Sequence, residues 1–270
     1  MDESPGPWSL ELTRASLRCG TLTAEIDVAR PQVGLHGLRF DGVALSGAIG
    51  AVQWTAGADE QSTEWPTKVS DAYVRGRDLI ASYERLPNWP FAPQIYWRIE
   101  DGPALANFSM LVSIQTDSLD THPCVRVTTR LPADEMIRVE ETAGNSPRRV
   151  LDTELAAESF RLGTRNGESS TGSSKTSCAP LPAACILWRL PGGQLSYAEI
   201  VPANDFRSLS VTHDESGLTC VHWDLFAEFL EKGVIRRARI ESLLLPREND
   251  IELATFYCQS LDRRPLPLTT

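Results

Sequence analysis

Apolar and polar side chains alternate along most of this chain, and a period of two predicts β-strands. Residues 21–28 (TLTAEIDV) and 33–45 (VGLHGLRFDGVAL) read as a strand, a short connection and a Gly-punctuated hairpin. Residues 48–70 predict short strands and a loop around Trp54 and Trp65. From residue 71 onward strands follow quickly, at 71–75, 78–84, 94–100, 107–116 and 124–131, separated by turn-rich pieces such as Asp101-Gly102-Pro103 and Asp120-Thr121-His122-Pro123. This is the pattern of an antiparallel meander. In it Ile95, Trp97 and Ile99 alternate with Gln94, Tyr96, Arg98 and Glu100, and Val125, Val127, Thr129 and Leu131 alternate with Arg126, Thr128 and Arg130. Strands resume at 184–190 and 195–201. Helical signals are few: residues 151–161 fit one short helix, and Asn249-Asp250 caps a terminal helix over IELATFYCQSL that Pro265 and Pro267 stop. A Ser/Gly/Thr-rich stretch at about 163–182 predicts a flexible loop, with no sign of a second domain after it. The whole predicts a single-domain, all-β antiparallel protein spanning 1–270 with a few short helices.

The segment 218–245 carries the clearest alternation. Val221, Trp223, Leu225, Ala227 and Phe229 fall on one side, and His222, Asp224, Phe226 and Glu228 on the other. A Lys232-Gly233 turn would make the two halves a hairpin, with Ala238 opposite Ala227, Ile240 opposite Leu225 and Ser242 opposite Trp223. That register gathers Arg237, Arg239 and Glu241 beside Glu228, Phe226 and Asp224 on one charged face. Such a face either binds a hydroxyl-rich ligand or carries ordinary cross-strand ion pairs.

Composition narrows the classes. With 41% hydrophobic and 23% charged residues the chain is globular in type, and its net charge of -10 argues against nonspecific nucleic-acid binding. The acidic start MDESPGPWSLEL lacks the basic region of a signal peptide, and no run of about 18 apolar residues predicts a membrane span, so a cytoplasmic location is expected. Six cysteines lie far apart without CxxC spacing, which predicts reduced, mostly buried thiols.

Familiar catalytic signatures are absent. Gly167 and Gly172 have phosphate-loop spacing, but Ser173 stands where the lysine belongs and no apolar strand leads in. There is no GxSxG elbow, and His36, His122, His213 and His222 are dispersed without metal-ligand spacing, so no metal or cofactor is expected. His222 is the strongest acid/base candidate, since Asp224 shares its face and Glu228 follows; His122, before Pro123 at a turn, is the other. Arg98, Arg126 and Arg130 occupy polar phases of strands, where guanidiniums suit anionic or hydroxyl-rich ligands or pair with neighbouring acids. Trp97, Trp188 and Trp223 sit in apolar phases and predict core, whereas Trp65 and Trp89, each before a proline, are free to line a site mouth.

Taken over most of its length, the opening TLTAEIDVARPQVGLHGLRFDGVAL and the later SMLVSIQTDSLDTHPCVRVTTRLP resemble the galactose mutarotase-like family of β-supersandwich proteins. The resemblance implies a β-supersandwich and, where the family epimerises aldoses at C1, a histidine acid and a glutamate base across the sugar, often with an Asn-His pair. No Asn-His dipeptide occurs here, which leaves His222 with Glu228, or His122 with another glutamate, to fill those roles. The expectation is a carbohydrate-binding protein whose ligand is a sugar or sugar-derived small molecule. It would use His222 and Glu228 for acid-base work, and Arg98, Arg126, Arg130, Asp224, Arg237 and His122 for binding. The alternative is a non-catalytic structural or protein-interaction β-sandwich.

Overall fold

The computed structural model describes residues 6–55, 68–85, 91–116, 123–139, 149–150, 160–161, 183–226 and 230–261. Alternation there becomes strand. In chain order the strands are β1 (Trp8–Glu11), β2 (Arg14–Cys19), β3 (Leu22–Asp27), β4 (His36–Phe40), β5 (Val43–Ala44), β6 (Ala48–Thr55), β7 (Val69–Arg75), β8 (Asp78–Tyr83), β9 (Phe91–Ile99) and β10 (Ala106–Thr116). They continue with β11 (Cys124–Leu131), β12 (Glu135–Val139), β13 (Arg149–Val150), β14 (Phe160–Arg161), β15 (Ala183–Arg189), β16 (Leu195–Pro202), β17 (Phe206–His213), β18 (Thr219–Leu225) and β19 (Ile235–Pro246). One helix, α1 (Asp250–Leu261), closes the described chain, as its capping signal predicts.

Among the described residues the strands form three antiparallel sheets. The first runs β1-β2-β3-β4-β5, the large one β13-β12-β15-β16-β19-β10-β9-β8-β7, and the third β14-β17-β18-β11-β6. The predicted meander is present as β7 to β10, consecutive neighbours in the large sheet, while β11 crosses to the third. One apolar cluster takes inward residues from all three sheets, including Leu17, Ile26, Trp97, Val112, Trp188, Val127 and Trp223. Trp97, Trp188 and Trp223 are buried as their phase requires. Each such ring takes about 200 Å² out of water, roughly 5 kcal/mol of hydrophobic driving force. A second cluster forms where α1 lays Ala254, Tyr257, Cys258 and Leu261 on the opposite face of the large sheet, against Leu187, Ile200, Leu243 and Leu245.

The 218–245 hairpin does not exist. β18 pairs with β11 and β17, whereas β19 pairs with β10 and β16 in the other sheet. Period-two alternation fixes which side chains face the core but not which strand lies alongside, so hydrophobic matching was satisfied by either arrangement. The crossing starts at Phe226, whose φ of 54° ends β18 and turns its ring into the core instead of onto the polar face. The Lys232-Gly233 turn forms, with Gly233 at φ 83° and its N–H on the Thr116 carbonyl at 2.8 Å, but it delivers the chain into β19 without pairing it to β18. Residues 160–161 of the expected helix are strand β14; the rest of that helix and the 163–182 loop lie outside the described residues.

Strands β1, β2 and β17 were not expected. The β1–β2 turn uses Leu12 at φ 56°, a left-handed position with no glycine or asparagine to announce it. A bulge between Phe206 and Ser208 breaks the alternation of β17. Among the described residues Cys185, Cys220 and Cys258 are buried free thiols and Cys19 is half-buried; burial pushes the Cys185 thiol well up.

Candidate functional site

The outward face of the third sheet collects four of the six candidate residues that are described, Arg126, Arg130, His222 and Asp224. Its inward face is apolar, so the alternate positions of β6, β11, β18 and β17 must face the other way. Register sets them in rows: Gln53, Arg126, Asp224 and Ser208 in one, and Thr128, His222 and Ser210 in the next. Arg130 lies beside Cys220 and Thr212 in a third.

The first row is an ion pair with a hydroxyl attached. Arg126 donates through Nε and Nη2 to the two carboxylate oxygens of Asp224 at 2.7 and 3.1 Å, and Ser208 donates to Asp224 Oδ2 at 2.7 Å. The two-pronged geometry fixes both side chains while leaving Arg126 43% exposed. In the second row Thr128 Oγ1 lies 2.9 Å from His222 Nδ1, and Thr212 Oγ1 lies 3.0 Å from Nε2. Burial, and then the Arg126 charge, hold the imidazole below its ordinary pKa against the pull of Asp224, so the ring is neutral at pH 7. A neutral imidazole donates one hydrogen bond and accepts one, and the two threonines match both needs.

Directly beneath this face lies Glu199, which β16 sends across the core. It is fully buried and accepts hydrogen bonds from Trp223 Nε1 at 2.7 Å, from the Tyr197 hydroxyl at 2.9 Å and from Thr129 Oγ1. Thr129 in turn accepts from the Gly50 amide at 2.9 Å, and Tyr197 is 2.9 Å from Ser242 Oγ. Trp223 lies between His222 and Asp224 in β18, and Thr129 between Thr128 and Arg130 in β11, so one carboxylate ties both site strands to the large sheet. Burial raises its pKa, opposed by the donated hydrogen bonds of Thr129, Trp223 and Tyr197.

The other candidates lie elsewhere. Arg98 is on the outward face of the large sheet, across the core from His222, and is paired with Asp78 at 2.6 and 2.7 Å. Arg237 is in β19, opposite Ser113 of β10, on that same far face. Arg237 does not reach Asp224, since the expected hairpin is not formed. Glu228 and His122 lie outside the described residues, as do Trp65 and Trp89. Among the described residues no three His, Cys, Asp or Glu side chains cluster as metal ligands, and no helix is long and apolar enough to cross a membrane.

Sequence reasoning missed Ser208 and Thr212, because β17 went unrecognised, although Leu209 and Val211 do alternate with Ser208, Ser210 and Thr212. It also missed Glu199, whose signal was available: in YAEIV an acid occupies the same phase as Tyr197 and Val201, which both face the core.

No protein-family model matches the chain, and no curated protein matches it in sequence. Solved structures do match in shape. A candidate aldose 1-epimerase from Klebsiella pneumoniae superposes over 91% of this chain and 82% of its own, with a TM-score of 0.57 at 7% identity. A second, from Escherichia coli K12, covers 85% of this chain and 97% of its own, with a TM-score of 0.51 at 9% identity. A galactose mutarotase-like protein from Lactobacillus casei covers 85% and 99%, with a TM-score of 0.50 at 12% identity. These superpositions run over nearly the whole length of both chains: the chain has the galactose mutarotase-like β-supersandwich fold.

Proposed function

We propose that this chain binds a sugar on the outward face of β11, β18 and β17. The reading rests on one observation, the row of Gln53, Arg126, Asp224 and Ser208 beside Thr128, His222 and Thr212. These groups supply donors and acceptors at neighbouring strand spacings of about 5 Å, which suits the successive hydroxyls of a pyranose. Hydrogen bonds hold Arg126, Asp224 and Ser208, and Thr128, His222 and Thr212, in place before a ligand arrives, so little ordering of these side chains opposes binding. Arg126 is 43% exposed, and the exposed Arg130 extends the face.

A thermal-melting panel of aldoses, uronic acids and sugar phosphates tests it. Ligand at about ten times Kd stabilises the folded state by about 1.4 kcal/mol, a rise of roughly 3–6 °C in Tm for a chain of this size. The account expects such a rise with at least one neutral aldose, and expects Arg126→Ala to abolish it. No rise across the panel would leave the face as solvated surface and favour a structural or protein-interaction role.

Catalysis is the second reading, favoured by the neutral state of His222. Epimerisation at C1 needs a proton acceptor on one side of the ring and a donor on the other, and an imidazole neutral at pH 7 can act as the acceptor once a sugar hydroxyl displaces Thr212. Glu228 is the carboxylate proposed as its partner in that exchange. Polarimetry on freshly dissolved α-galactose or α-glucose decides: acceleration by the protein that His222→Gln removes supports an epimerase, and binding without acceleration supports a non-catalytic sugar binder.

A further inference from the structure

The outward face of the first sheet holds a groove of about 440 Å³ that the sugar-binding face described above does not include. Its walls are polar by sequence phase, because Ala15, Leu17, Leu22, Ala24 and Ile26 point inward and leave Ser16, Arg18, Thr23 and Glu25 pointing out. Strand register arranges them in two rows. Arg18 of β2 faces Thr23 of β3, which faces Arg39 of β4. One step along, Ser9 of β1 faces Ser16, which faces Glu25. The rows are two residues apart, or about 7 Å. A shift of register in the β3–β4 pairing between Thr23 and Glu25, with Gly37 at φ 61° opposite it, opens the floor of the groove.

These side chains are unspent. Where Arg126 and Asp224, or Arg98 and Asp78, neutralise each other, no hydrogen bond or ion pair joins the side chains of Ser9, Ser16, Arg18, Thr23 or Glu25 to any described residue. Arg39 gives one donor to the Gly42 carbonyl at 3.2 Å and keeps the rest. Two guanidiniums against one carboxylate leave the groove locally positive on a chain whose net charge is -10. A volume of this size falls in the range of small-molecule sites.

We infer that this groove is a second ligand site, for a monosaccharide carrying one anionic group, either a phosphate or a carboxylate. The anion lies between Arg18 and Arg39, where planar forks of donors match its oxygens. The ring hydroxyls lie over the second row and donate to the Glu25 carboxylate while Ser9 and Ser16 complete their hydrogen bonds. A bare anion would use the first row and leave Glu25 as a repelling neighbour; a neutral sugar would leave both guanidiniums unmatched.

Isothermal titration calorimetry with glucose 6-phosphate, galacturonate, glucose and inorganic phosphate tests the assignment on the full chain. Saturable binding of at least one of the two anionic sugars is expected, about tenfold or more tighter than either glucose or phosphate, the worth of one well-placed charged hydrogen bond. The Arg18→Ala, Arg39→Ala double variant is expected to lose that binding by tenfold or more while Arg126→Ala keeps it. All three arginines are at least partly exposed, so the variants are expected to melt within a few degrees of the parent. Failure of both anionic sugars to bind saturably overturns the inference, as does phosphate binding as tightly as they do. If the loss follows Arg126 instead of Arg18 and Arg39, the groove is overturned while the sugar-binding face on β11 and β18 stands.

Discussion

Glu199 carries a carboxylate into the core with three hydrogen-bond donors around it and, among the described residues, no cation. Its pKa is raised above the ordinary glutamate value, chiefly by burial. A raised folded pKa means the native state binds the proton more tightly than the unfolded chain does. Stability from this group is therefore complete below the ordinary glutamate range and falls as pH rises through the folded pKa. Glu199→Gln removes that titration, so urea denaturation of the two proteins across pH 4–8 is expected to give a stability difference that shifts toward the variant as pH rises. A difference that does not change with pH would contradict the account. Glu199→Leu leaves Trp223, Tyr197 and Thr129 without their acceptor and is expected to cost about 3 kcal/mol or more. The network also separates Trp223 from its companions: Trp97 and Trp188 have buried ring nitrogens with no hydrogen-bond partner, whereas Trp223 donates to Glu199. At the surface, Arg126→Ala is expected to cost only about 1 kcal/mol of stability, because the pair is half-exposed. A loss of sugar response in that variant would then report recognition and not unfolding.

Two elements decide whether the site exists, β11 and β18, and their adjacency is what the sequence conceals. Arg126 and Asp224 are 98 residues apart in the chain. Alternation placed Arg126, Thr128, Arg130, His222 and Asp224 correctly on polar faces, strand by strand. It carried no information about which strands are neighbours, so β18 was paired with β19 and Arg237 was brought to the wrong sheet. Strand lengths were legible where apolar runs are long, as in β8, β10 and β16, and illegible where a turn uses Leu12 at positive φ or a bulge interrupts β17. Strand β6 reaches its place through Gly47, at φ 107°, where an added Cβ would lie 2.0 Å from the Arg130 carbonyl oxygen. Gly47→Ala is expected to lower stability by at least about 2 kcal/mol and to loosen the β6–β11 edge. Wild-type melting of that variant would contradict the contact. Helix α1 is anchored by its first residue: the buried Asp250 accepts from Arg189 at 2.9 and 3.2 Å and from Ser196 at 2.7 Å. Asp250→Ala strands a mostly buried guanidinium that retains only Glu135, and calorimetry is expected to show a loss of about 3 kcal/mol.

For the whole molecule, shape and sequence give different amounts. The solved structures it matches share 7 to 12% of its residues, yet cover 85 to 91% of its length. A β-supersandwich needs only apolar phases in the right order, which many sequences satisfy, so the fold is readable from patterning while the chemistry on its faces has to be read from this chain's own residues. That chemistry divides between a pre-paired face on β11, β18 and β17 and an unpaired groove on the first sheet. The central claim concerns the former, and residue-resolved amide chemical shifts test it most directly. Titration with galactose and with glucose is expected to move the backbone amides of Arg126, Thr128, His222 and Asp224 together along one saturable curve. Shifts confined to other parts of the molecule, or none up to the solubility of both sugars, would contradict it.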